Sequence, residues 1–412
     1  RRVKMGQLLS HPLTEKEIEY NDYKYLTQGH SANPGHRKGN TKVPFFYNCV
    51  GSMQGYRLTQ EDAHLILNED KALLVNFYNP FTNHSEQLTL SIFALFDGHG
   101  GDECSSFLSG EHHQSPKNGI SHWIAYSFEN HRYGALLDDS SEQPLEDGDG
   151  VSHSGPKVSP SNAKRGFRTL QGLICQVIKD AFFLQDQELY KHFANNSCGS
   201  TAVVSIIINH EDLYVANCGD SRCILSSKAL GIKTMSFDHK PQHIGELLRI
   251  NDGGGTVSLG RVGGVLALSR AFSDFQFKRG VMYSQNSSHS KSHHNMGIPP
   301  QESQVTVEPD VLMHKINYSK DEFMILGCDG IWDIYSNKQL VQFIKYHLTL
   351  GVNLEGIVIK LLDHGIAQAN SNTGVGFDNM TAIIVALNKP GESLAEWYAK
   401  MKARLERERG LS

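Results

Sequence analysis

Ile92-Phe93-Ala94-Leu95-Phe96-Asp97-Gly98-His99-Gly100-Gly101 is an apolar run that ends abruptly in a carboxylate, a glycine and a histidine. Five consecutive apolar residues followed by Asp-Gly predict a buried strand, and the residues after it stand at the mouth of a core. The same event recurs along the chain. Phe323 to Cys328 runs into Asp329-Gly330-Ile331-Trp332-Asp333, and Leu213 to Cys218 runs into Gly219-Asp220-Ser221-Arg222. Asp378-Asn379-Met380-Thr381 opens a further strand, Ala382 to Leu387. In an antiparallel sheet the end of one strand lies beside the start of its neighbour, so Asp97, Asp220, Asp329 and Asp378 can be brought together. Taken singly, each junction is also ordinary Asp-Gly turn chemistry. Taken together, they point to carboxylates that repel unless they bind cations, and oxygen-only sites suit Mg or Mn.

Further stretches join these. Met53-Gln54-Gly55-Tyr56-Arg57 and Gln60-Glu61-Asp62-Ala63-His64 precede the Asp97 segment. Cys198-Gly199-Ser200-Thr201-Ala202, Asp238-His239-Lys240-Pro241, Arg261-Val262 and Leu268-Ser269-Arg270-Ala271 follow it, interleaved with the Asp220, Asp329 and Asp378 segments. In this order, over roughly residues 45 to 390, the chain resembles the metal-dependent type 2C Ser/Thr protein phosphatases. The resemblance implies an α+β fold of two packed antiparallel β-sheets flanked by helices. It implies hydrolysis of phosphoserine and phosphothreonine in substrate proteins, with two Mg or Mn ions per subunit and a third, looser position. Asp97 would bridge the two metals, the Gly98 carbonyl would be a ligand of one, and Asp329 and Asp378 would complete the other. Glu61 would hold a metal-bound water, and Asp220 and Asp333 would belong to the third position. Two such cations would neutralise the phosphoryl oxygens and lower the pKa of a bridging water. Arg57 would clamp the phosphate through parallel guanidinium donors, and His99 would protonate the leaving Ser or Thr oxygen. Asp62 either supports the ligands from behind or caps a turn.

Each of these residues has a plainer reading. Arg57 could be a surface arginine in a salt bridge, His99 a structural histidine bonded to a carboxylate, and Asp220 a turn residue beside Arg222. One departure from the family pattern is visible. Ser273-Asp274 stands where Gly-Asp is usual, and serine resists the positive φ that glycine tolerates. Cys328 has Ile334, not arginine, six residues on. It therefore lacks the phosphate loop of a cysteine phosphatase and is predicted to close the core of its strand.

Composition fits a soluble globular protein. The 412 residues are 39% hydrophobic and 20% charged, with net charge −5. An acidic balance argues against a general nucleic-acid binder and so against a two-metal nuclease. A catalytically dead scaffold of the same fold would have no use for an intact acidic cluster. Seven scattered cysteines without a Cys-x-x-Cys pair suit a reducing, cytoplasmic setting. No apolar run approaches the ~18 residues that span a bilayer. The expected partners are phosphorylated proteins, signalling kinases among them, met by a monomer.

Residues 1–43 are predicted to be a mobile lead-in, 44–390 the catalytic domain, and 391–412 a C-terminal amphipathic helix packed on it. Met5-Gly6-Gln7-Leu8-Leu9-Ser10 fits a myristoylation pattern if Met5 starts the chain. Acylation of Gly6 would give at most weak membrane attachment. Two insertions are expected, near 110–165 and 283–298. The first is Ser-, Asp-, Gly- and Pro-rich over 138–164. The second carries His289, His293 and His294, which read as a solvated loop or a transition-metal tract. At the C-terminus Ser393 and Glu396 form a capping box, and Trp397, Met401 and Leu405 fall on one helical face.

Overall fold

The computed structural model describes residues 8–21, 23–28, 46–111, 119–136, 166–229, 231–278 and 299–408. Residues 5–7 of the acylation pattern, the 138–164 insertion and the histidines at 289, 293 and 294 lie outside the described residues.

Nineteen strands and eight α-helices alternate along the described residues. The first sheet has seven strands in the order β13 (Gly231–Thr234), β12 (Arg222–Ser227), β18 (Asp321–Gly327), β19 (Met380–Ala386), β3 (Asn48–Arg57), β1 (Leu8–Tyr20) and β2 (Tyr23–Gln28). The second runs β16 (Phe272–Ser273), β9 (Gly199–Ser200), β6 (His84–His99), β10 (Ala202–Ile208), β11 (Asp212–Cys218) and β17 (Asp310–Lys315). Both β4 (Asp62–Leu67) and β5 (Leu73–Asn79) also pair with the long β6. Every ladder in these two sheets is antiparallel. Two small pairs complete the set: β7 (Gly134–Ala135) with β8 (Gly166–Phe167), and β14 (Val257–Ser258) with β15 (Arg261–Val262).

The period of two in β6 shows why the sheets face each other. Phe93 and Leu95 belong to the core shared with the first sheet, alongside Ile224, Ile325 and Ile383. Ile92, Ala94 and Phe96 point the other way, into a second core. That outer core is roofed by α1 (Glu103–Ser109), α2 (Ile120–Asn130) and α3 (Leu170–Phe193), through Phe107, Ile124, Phe128, Val177 and Phe182. The first sheet is roofed by α6 (Asn337–Thr349), α7 (Leu354–Ala367) and α8 (Leu394–Glu408), through Leu340, Ile344, Leu361, Trp397 and Met401. The short α4 (Ile244–Asp252) and α5 (Asp329–Trp332) lie in the loops that frame one end of the sandwich. The expected four-layer arrangement is the observed one.

The lead-in needs correction. Residues 8–20 and 23–28 are strands of the first sheet, and β1 pairs with β3 through Ile18↔Gly51 and Tyr20↔Cys49. Ile18 is fully buried, and so is Lys16, whose ammonium lies 2.6 Å from Asp363 on α7. Glu19 is buried against His64 at 3.1 Å and Lys24 at 3.1 Å. Residues 8–28 of the expected lead-in therefore contribute two strands to the first sheet.

Candidate active site

Alternation along β6 carries directly into the site. Phe93 and Leu95 face the first sheet, so Asp97 and His99, two and four residues further on, fall on the same side. Across the gap, β18 ends at Gly327 and delivers Asp329, and β19 begins at Met380 just after Asp378. The link between β11 and β12, where the chain passes from one sheet to the other, carries Asp220. Asp62 opens β4 and lies directly across from Asp97 in the ladder.

The convergence is tight. Asp97, Asp220 and Asp329 each offer a carboxylate oxygen, and these atoms lie within 4.8 Å of one another. The backbone fixes them: Thr201 N–H donates to the Asp97 carbonyl at 2.9 Å, and the Thr201 hydroxyl accepts from Asp97 N–H at 3.2 Å. Burial and the charges of Asp329, Asp62, Asp378 and Asp220 hold the Asp97 carboxyl well above the usual carboxylate range. Burial, Asp220, Asp378 and Asp333 do the same to Asp329. Asp62 is pushed up to about 7 by burial, against the pull of a hydrogen bond from the Thr381 hydroxyl at 2.6 Å. Only two cationic side chains are ion-paired into this cluster among the described residues, Arg57 with Asp378 and Lys240 with Asp220. Carboxylates crowded in this way, with hard oxygen donors and too little positive charge, fit a divalent cation.

The remaining expected residues are placed unequally. Glu61 stands at the rim, its Oε1 accepting from the Thr59 hydroxyl at 3.1 Å. Asp333 is exposed at the end of α5, outside the tight trio. Asp220 is inside that trio and 4% exposed, which is closer in than a peripheral position would be. It is not partnered by Arg222. That guanidinium grips Asp238 at 2.9 Å through both Nε and Nη2 and lies 4.9 Å from the Trp332 ring centre. Gly98 is glycine for a reason visible in the backbone: a Cβ there would sit 2.3 Å from the Glu61 carbonyl oxygen. Cys328 groups with Asp62 and Asp97, but burial and the charges of Asp62, Asp97 and Asp329 push its thiol well above the ordinary value. A thiol held protonated in this way is not a nucleophile.

Two partnerships were not legible beforehand. His99 Nε2 lies 2.7 Å from Asp274 Oδ2, and Asp274 is 1% exposed. Burial alone would lower the His99 pKa, yet the Asp274 charge and hydrogen bond outweigh it and the imidazolium is favoured. Asn379 clips three loops together: its Oδ1 accepts from Glu61 N–H at 3.0 Å, while Nδ2 donates to the carbonyls of Gln54 at 2.9 Å and Thr59 at 3.0 Å. The turn that presents Arg57 is thereby tied to Asp378. Adjacency to Asp378 was the only sequence signal for Asn379, and for Asp274 it was the Leu-Ser-Arg-Ala-Phe run before it.

The protein phosphatase 2C family model matches residues 49–374 of this chain, through every segment of the site up to Asp333 and short of Asp378. The chain belongs to the protein phosphatase 2C family. Protein phosphatase 2C homolog 4 of Saccharomyces cerevisiae is 65% identical over 421 residues, which cover 99% of this chain and 100% of that one. Protein phosphatase 2C homolog 2 of Schizosaccharomyces pombe is 32% identical over 96% of this chain and 81% of its own length. Among solved structures, a phosphatase from a pathogenic strain of Toxoplasma gondii shares the fold, with a TM-score of 0.56 at 19% identity, over 90% of this chain and 95% of that one. A serine-threonine phosphatase 2C from the same organism gives 0.52 at 20%, over 83% and 94%. The protein is a metal-dependent Ser/Thr phosphatase, and phosphoproteins are its substrates.

Proposed function

We propose that this phosphatase cleaves phosphoserine and phosphothreonine with two Mg or Mn ions held between the sheets, Arg57 gripping the phosphate and His99 protonating the leaving oxygen. The convergence of Asp97, Asp220 and Asp329 from both sheets within 4.8 Å carries this reading. Asp97, the Gly98 carbonyl, Asp329 and Asp378 would hold the pair, with Glu61 at the rim and Asp62 behind; Asp220 and Asp333 would serve a third ion. When bound, such cations supply charge neutralisation for the phosphoryl group and a more acidic water.

The chain's own groups do the rest. Arg57 is 42% exposed and meets Asp378 through Nη2 alone, which leaves other N–H donors of the fork to phosphoryl oxygens. His99 is held by Asp274 through Nε2, so the proton it can deliver to a leaving oxygen sits at Nδ1. Asp274 keeps the ring oriented and charged between turnovers. Seven cysteines with no disulfide among the described residues suit a reducing compartment such as the cytoplasm.

One set of assays tests the proposal. Chelator, or Asp329→Asn, is expected to abolish turnover of both a phosphothreonine peptide and nitrophenyl phosphate. His99→Ala is expected to slow the peptide by about 100-fold or more, while nitrophenyl phosphate, whose leaving group needs no proton, loses far less. Full activity in excess chelator would end the metal reading, and equal slowing of both substrates would end the general-acid role.

A further inference from the structure

Lys240 places a positive charge where the acidic trio would otherwise need one. Its ammonium is ion-paired with Asp220, and its side chain is 31% exposed. Its neighbour fastens it in place. His239 N–H donates to the Gly219 carbonyl at 2.9 Å, and Gly219 N–H donates back to His239 Nδ1 at 3.1 Å. The Lys240 segment is therefore stitched to the very turn that carries Asp220. Asp238, two residues away in the sequence, is already gripped by Arg222. Asp220 has thus two claims on it: the ammonium of Lys240, and the oxygen cluster it completes with Asp97 and Asp329.

We infer that Lys240 is a built-in competitor for the divalent cation that Asp220 helps to hold. The ammonium occupies Asp220 when that cation is absent and is released when it binds. Two positive charges cannot share one buried carboxylate without mutual repulsion, so every ion that enters at Asp220 must first displace Lys240. The cation position that uses Asp220 is in consequence the weakest of the site, and Lys240 sets how weak. This rests on the metal-dependent reading above and adds to it a residue that tunes occupancy.

Mn binding to the full chain, followed by electron paramagnetic resonance after prior chelation, tests the inference. Lys240→Met is expected to leave the tighter ions unchanged and to tighten the weakest class by about tenfold. Lys240→Arg, which keeps the charge, is expected to tighten it far less. Asp220→Asn is expected to remove that class in either background. The unaltered protein supplies a second measurement: acetylation of the Lys240 amine, read by mass spectrometry, should rise when Mn is saturating. Unchanged affinity in Lys240→Met, tightening shared equally by Lys240→Arg, tightening that survives Asp220→Asn, or Lys240 reactivity indifferent to Mn would each overturn the inference. Absence of any Mn binding to the unaltered protein would instead remove the metal reading on which it stands.

Discussion

Ser273 and Asp274 show how the backbone of two residues can orient a neighbouring histidine. Their φ angles are 59° and 47°, in the left-handed region where a side chain costs on the order of 1–2 kcal/mol. The usual glycine has been replaced, yet the backbone has kept the conformation that glycine would allow. What holds it is underneath: Asp186 on α3 accepts from Ser273 N–H at 2.8 Å and is itself paired with Lys278 at 2.8 Å, both fully buried. The strained pair aims the Asp274 carboxylate at His99. Two substitutions separate strain from side-chain packing. Ser273→Gly should raise stability to urea by roughly 0.5–1 kcal/mol, the relief of strain being partly offset by a more flexible unfolded chain. Ser273→Val should lower it by roughly 2 kcal/mol or more, because a β-branched residue tolerates positive φ worst. If glycine destabilised as much as valine, backbone strain would not be the governing effect at this position.

At the scale of elements, legibility followed the range over which the deciding interactions act. β6 could be read because its alternation is local and its apolar residues fill two cores. α8 could be read because its signals are local too, with Ser393 accepting from Glu396 N–H at 3.3 Å at its start and Trp397, Met401 and Leu405 in the core. The acidic junctions were legible as strand ends, though not the distances between them. β1 was misread because Glu15-Lys16-Glu17-Ile18-Glu19 looks solvated, while the partners that bury Lys16 and Glu19 sit on α7, β2 and β4. No one-dimensional pattern announces such pairs. Burial of one charge of an ion pair makes its removal costly, so Lys16→Ala should lower stability by roughly 3 kcal/mol in urea unfolding. A loss below about 1 kcal/mol, the ordinary value for an exposed pair, would mean that β1 is an accessory strand and the original boundary near residue 44 was energetically right.

The whole molecule places its site where two sheets open at one end, and the loops framing that opening are held by buried charge. Glu246 on α4 accepts from Arg270 Nη2 at 2.7 Å and Arg249 Nη1 at 2.9 Å. Arg270 reaches Asp310 at 2.9 Å, and Asp310 meets His239 at 3.0 Å. His239 is the residue bonded to the Gly219-Asp220 turn, so the network that starts on α4 ends by fixing the turn that carries a carboxylate of the acidic trio. Burial would raise the Glu246 pKa, but Arg270 and then Arg249 outweigh it and hold the carboxyl at about 2, below its ordinary 4.5. A folded-state pKa depressed in this way contributes stability that is fully present above about pH 4.5 and is lost as pH falls toward 2. The depression corresponds to roughly 3 kcal/mol. Glu246→Gln should therefore be less stable than the unaltered phosphatase by a near-constant amount above about pH 5.5, and the gap should close as the pH is lowered from 5 toward 2. Urea unfolding of both proteins in chelator, at matched salt, reads that gap directly, because the titration of the clustered carboxylates is common to both and cancels. A gap that did not narrow with acid would show that Glu246 acts through packing and not through its charge.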